Sequence, residues 1–174
     1  MNVMIMNVIV VMIVNVNKWN QVFIRNKELD ELFFDKYGND RKVYKKNCVE
    51  FLVELGEFIN ESKCFKYWSI KKPNIDKTLE ELADVFTMLM YFYNELNIDI
   101  PNNIEIVEND LFEIINDTFN LGTNLLDNLN EKLLNNIFNN LYNIAIKLNI
   151  NDDMIIEAIS KKHIIIEERF SIEY

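Results

Sequence analysis

The sequence predicts an all-α protein, a helical bundle in which two antiparallel helices frame a cleft of metal-binding carboxylates. Three observations carry that prediction. The 174 residues include only Gly 3 and Pro 2, so few positions can supply hairpin turns or left-handed caps. After residue 18 the apolar residues recur at helical rather than alternating spacing. Glutamates then repeat along one stretch at intervals of four, three and four residues, which places them on one helix face.

With 49% hydrophobic and 26% charged residues the chain can build one sizeable core, and no linker or internal repeat divides it. Residues 1–18 read as an apolar N-terminal extension and 19–174 as a single helical domain. The run from Met1 to Val16 is interrupted by Asn2, Asn7 and Asn15 and lacks a basic start. It is shorter than the roughly 20 residues of a spanning helix. A β-like or frayed extension is expected there, and no membrane association.

Helices are expected near 19–35, 42–64, 77–96, 103–119, 127–148 and 151–170. Tyr37-Gly38-Asn39-Asp40 forms a turn, and Lys72 to Asp76 closes one segment and offers Asp76 as the next N-cap. Pro101 interrupts the stretch from Asn97 to Asn103, and Asn149 to Asp153 offers another cap. The Asn-rich run from Asn124 to Asn151 carries no catalytic signal, because Asn is a poor helix-interior residue that composition alone can explain.

A net charge of -10 excludes nucleic acid as a partner held by general electrostatics. An acidic protein can still take a phosphorylated small molecule if divalent ions stand between carboxylate and phosphate. Cys48 and Cys64 lie about four turns apart on one expected helix, too far to bridge each other. Reduced thiols in a cytoplasmic setting are expected.

The second expected helix carries an apolar stripe of Val49, Leu52, Val53, Leu55, Phe58 and Ile59, and the third one of Leu79, Leu82, Val85, Phe86, Leu89 and Met90. Both stripes read as core. Beside the first run Glu50, Glu54, Glu57 and Glu61, within a roughly 60° arc at ~100° per residue. On the third helix Glu81 and Asp84 share a face, with Glu80 beside them. Like charges at these spacings cost a few tenths of a kcal/mol per pair, and a divalent cation would remove the repulsion. Magnesium suits such hard oxygen ligands. Zinc does not, because the only histidine is His163, which near the chain end is expected to be exposed. A ferritin-like di-iron site is excluded by the absence of Glu-x-x-His on two helices.

The arrangement Glu54-Leu55-Gly56-Glu57 followed by Glu81-Leu82-Ala83-Asp84 is similar to the signature of the all-α nucleoside triphosphate pyrophosphohydrolases. Between the two motifs, Phe51 to Glu61, the run Phe65-Lys66-Tyr67-Trp68-Ser69 and Leu79 to Val85 resemble the dimeric dUTPases of that superfamily. The aromatic run is the most specific element, since MazG-like relatives generally lack it. Asn26-Lys27-Glu28-Leu29-Asp30 resembles the family's Gln-x-x-Leu-Asn or Gln-x-x-Leu-Asp. Lys162 to Arg169 resembles its Lys-x-x-x-Asn-x-x-Arg run. Asn26, Thr87 and Ile166 stand where the family places Gln, His and Asn.

The resemblance implies magnesium-dependent hydrolysis of dUTP to dUMP and pyrophosphate by water attack at the α-phosphorus, with dUDP as a further substrate. Glu54, Glu57, Glu81 and Asp84 would ligate the metal, with Glu54 and Glu57 as catalytic residues and Glu50, Glu61 and Glu80 behind them. Trp68 and Asn26 would contact the base, Lys162 and Arg169 the phosphates. A homodimer binding a deoxyuridine nucleotide is implied as well. Two other readings stay open: hydrolysis of another nucleotide such as dCTP, and a catalytically inactive helical protein that binds a nucleotide or partner.

Overall fold

The computed structural model of the protein describes residues 10–172; residues 1–9 of the expected extension lie outside them. Its helices begin where short polar side chains accept the backbone N–H groups that a first turn leaves unpaired. Asn15 accepts from Lys18 N at α1 (Val16–Tyr37), and Asp40 from the N–H groups of Lys42 and Val43 at α2 (Arg41–Ser62). Asn74 serves Asp76 and Lys77 at α3 (Ile75–Leu96), so Asp76 lies in the first turn rather than at the expected cap. There its charge faces the positive end of the helix dipole. Asp110 and Glu113 form a capping box at α4 (Leu111–Thr123). Asn130 accepts from Leu133 N at α5 (Glu131–Lys147), and Asn151 from Met154 N at α6 (Asp152–Ile172).

The helix expected over 103–119 is replaced at its start by a strand. β1 (Val10–Ile13) pairs antiparallel with β2 (Asn103–Ile106), with Val10 opposite Ile106 and Ile13 opposite Asn103. The alternation Asn-Ile-Glu-Ile puts Ile104 in the core and Glu105 outside, a period-2 pattern too short to stand out beside the helical run that follows. The fold is all-α, with six helices and this one two-stranded ribbon among the described residues.

α2 and α3 run antiparallel. Tyr44 and Phe51 in the first half of α2 meet Phe92 near the end of α3, with ring centroids 5.9 and 6.2 Å apart. Glu57, late in α2, meets Glu81, early in α3. The stripe expected on α3 is core: Leu82, Val85, Phe86, Leu89 and Met90 are buried, with Leu79 packed against them. On α2 the expected stripe is only partly right. Leu55, Phe58 and Ile59 are buried and Leu52 packs on the core, but Val49 is 62% and Val53 49% exposed. The helix turns Cys48, Phe51, Leu55 and Phe58 inward, and Val49 and Val53 lie on the flank beside that seam.

Trp19 anchors the other half of the core. Its ring packs edge-on against Phe86 at 5.3 Å and Phe138 at 5.1 Å, and its Nε1 donates to Asp152 Oδ1 at 2.6 Å. Tyr142 OH donates to the same oxygen. One carboxylate at the start of α6 thereby ties α1 and α5 to α6, which lies across both α1 and α3 and brings Lys162 to Asp84.

Candidate active site

The antiparallel pairing of α2 and α3 sets the geometry of the site. The Glu-x-x-Glu of one helix and the Glu-x-x-Asp of the other lie at the same end of the pair, so their carboxylates converge. One oxygen each from Glu54, Glu57 and Glu81 lie within 4.8 Å of one another. Glu54 and Glu81 are half-buried and Glu57 is exposed, so the cluster opens to solvent on one side.

The electrostatics follow from crowding. Burial pushes the Glu54 carboxyl up to about 7, helped by the charges of Asp84, Glu57, Glu50 and Glu81. Glu50, Glu81 and Asp84 are also raised above the ordinary carboxylate range, burial being the largest cause in each, with Asp84 raising Glu50 and Glu81 further. Lys162 works the other way on Asp84. Its Nζ lies 2.6 Å from Asp84 Oδ2, and Arg169 adds a smaller favourable charge. Three convergent hard oxygens that repel one another, with no nitrogen or sulfur donor in the cluster, are a donor set that fits magnesium.

The other expected site residues are placed unevenly. Lys162 reaches Asp84 beside the cluster, and Arg169 lies seven residues further along α6, exposed. Trp68 is 64% exposed in the segment between α2 and α3, edge-on to Tyr67 at 5.0 Å and Phe65 at 6.1 Å. Asn26 is buried: its Nδ2 donates to Asp30 Oδ2 at 3.1 Å and to Thr87 O at 3.4 Å. Its Oδ1 accepts from His163 Nε2 at 3.1 Å. Thr87 OH donates to Asp84 O at 2.9 Å, and Ile166 is half-buried.

His163 corrects the expectation of an exposed ring. It is 3% exposed, and burial together with the charge of Arg25 pushes its pKa down to about 4. The ring is therefore neutral at pH 7, with its proton on Nε2, because the Asn26 amide hydrogens already point elsewhere. Sequence reasoning also passed over Asp30 and Asn94. Asn94 Nδ2 donates to Asp30 Oδ2 at 2.6 Å, and burial pushes the Asp30 carboxyl up to about 7. The i,i+4 spacing of Asn26 and Asp30 was the available signal for that pair; nothing local in the sequence pointed to Asn94 or His163.

A family model described as dUTPase matches residues 18–174. No curated protein matches the chain. The match covers all but the N-terminal segment and contains both carboxylate motifs on helices arranged as they require, so the chain belongs to the all-α dimeric dUTPase family.

Proposed function

We propose that the protein is a magnesium-dependent diphosphatase that hydrolyses dUTP, and dUDP where offered, through Glu54, Glu57, Glu81 and Asp84. The convergence of three carboxylates from two helices within 4.8 Å, inside a chain of the dUTPase family, carries this reading. Magnesium bound there would neutralise the polyphosphate and acidify the attacking water. Glu54, half-buried among the other carboxylates, is suited to orient that water. Glu57 and Glu81 hold the charge at the open side. Lys162 and Arg169 would contact the phosphates, each bringing a positive charge that the metal ions do not supply. Products would be dUMP and pyrophosphate from dUTP, and dUMP and orthophosphate from dUDP.

Trp68 offers an exposed aromatic face on which a pyrimidine can stack. Asn26, with its amide engaged inside the protein, acts on the base pocket by holding α1 against α3 and α6. The assembly we infer is a homodimer in a reduced, cytoplasmic setting, with 19–174 as the catalytic domain. The exposed Val49 and Val53 of α2 offer an apolar surface for pairing. Cys48 and Cys64 are free thiols, in keeping with that setting.

One observation favours a second reading in which another pyrimidine nucleotide such as dCTP is also cleaved. Asn26 is internally bonded, the Thr87 hydroxyl gives its one hydrogen to the Asp84 carbonyl and Ile166 is apolar, so none of the three positions offers a free hydrogen-bond donor to tell bases apart. A panel of deoxynucleoside triphosphates with magnesium, read by pyrophosphate release, separates the readings. Fastest turnover of dUTP supports the first and equal or faster turnover of dCTP the second. No pyrophosphate from any nucleotide leaves a non-catalytic binding protein.

A further inference from the structure

Asp84 lies close enough to the cluster to raise the pKa of Glu54 and Glu81, yet it stands outside the convergent triad, and its Oδ2 is paired with the Lys162 ammonium. The Lys162 and Asp84 side chains are only 12% and 15% exposed, so this is a largely desolvated ion pair rather than a passing surface contact. Among the described residues no ion pair reaches Glu50, Glu54, Glu57 or Glu81, which makes Lys162 the one direct counterion of the site.

We propose that Lys162 is an exchangeable counterion: with no metal bound its ammonium occupies the cation position at Asp84, and an entering divalent cation displaces it towards the substrate's phosphates. This rests on the metal-dependent reading above. The backbone that carries Lys162 is fixed, since the adjacent His163 is bonded to Asn26 and Ile159 is fully buried. The exchange is therefore a rotation of the flexible four-carbon lysine stem, not a shift of α6. A divalent ion brings twice the charge to a cluster that a single ammonium leaves under-neutralised. Once displaced, the ammonium needs a new anionic partner, and a triphosphate supplies one. Metal and nucleotide would then strengthen each other's binding, because each relieves a cost imposed by the other's absence.

Mn2+ binding in the absence of nucleotide, followed by the EPR signal of the free ion, tests the exchange in the wild-type chain and in Lys162→Met. The variant is expected to bind Mn2+ about three- to tenfold more tightly, as Asp84 is freed of its competitor. Equal or weaker binding by a variant with intact helical circular dichroism would overturn the exchange while leaving the metal site standing. If neither chain binds Mn2+, the metal-dependent reading falls together with the exchange. Should Lys162→Met fail to fold, the wild-type Lys162 Nζ resonance decides the matter: saturating Mg2+ is expected to shift it, and an unmoved resonance overturns the proposal.

Discussion

The Asn26 side chain joins three helices at one amide, taking a hydrogen bond from His163 on α6 and giving hydrogen bonds to Asp30 on α1 and Thr87 O on α3. Two titratable groups beside it have opposite pH dependence. Asp30 is raised to about 7, so the folded chain retains a proton that the unfolded chain has lost above its ordinary pKa near 4. That contribution favours folding at low pH and is lost as pH rises towards 7. His163 is lowered to about 4, so the unfolded chain takes a proton that the folded chain refuses, and its contribution grows as pH rises from 4 to 6.5. Comparing Asp30→Asn with the wild type isolates the first effect. The variant is expected to gain on the order of 2 kcal/mol relative to wild type between pH 5 and pH 8, measured by urea unfolding at each pH. A constant difference would mean that Asp30 ionises normally in the fold. None of this pairing was legible beyond Asn26 and Asp30, because His163 and Asn94 enter the network across 137 and 64 residues of chain.

The helices were more legible than the ribbon for a physical reason. Caps and stripes are local, so the cap within Asn149 to Asp153, the turn through Gly38 and the α3 core stripe could be read directly from the sequence, while the α3 cap was misplaced by two residues. β2 depends on β1, roughly 90 residues earlier, and on side chains of α5. Asn143 Oδ1 accepts from Val107 N at 2.9 Å, and its Nδ2 donates to Glu105 O at 2.8 Å. Asn139 Oδ1 accepts from Glu105 N at 2.7 Å. These amides complete an edge that a third strand would otherwise cover, which gives part of the Asn-rich run a structural role that composition had concealed. Replacing buried Asn143 by Ala is expected to cost about 1–3 kcal/mol by leaving those backbone groups unpaired, read as a lowered urea midpoint. Gly122 makes a second element-level constraint. A Cβ there would lie 2.9 Å from Leu52 Cδ2 and 3.0 Å from Phe51 Cε1, so a side chain at this position would have to displace the α2 side chains that α4 packs against. Gly122→Val should lower stability by about 1–3 kcal/mol in thermal unfolding.

At the scale of the molecule, the convergence of Glu54, Glu57 and Glu81 was legible because they lie in two helices with fixed spacing, and antiparallel packing brings the same ends together. The exposed Val49 and Val53 were not, since a helical stripe cannot say whether its flank meets its own core or a second chain. In solution the protein is expected at twice the 20.8 kDa chain mass by light scattering, and Val53→Asp should shift it towards the monomer if that flank is the pairing surface. The central claim is that the Glu54, Glu57, Glu81 and Asp84 cluster performs magnesium-dependent cleavage of dUTP. Its most direct test is pyrophosphate release from dUTP by the wild type and Glu57→Gln, each with magnesium and with chelator, alongside far-ultraviolet circular dichroism. The account expects release by the wild type only with magnesium, and a loss of about 10²-fold or more in the variant at unchanged helical content. Equal release by the two chains, or release that persists in chelator, would contradict it.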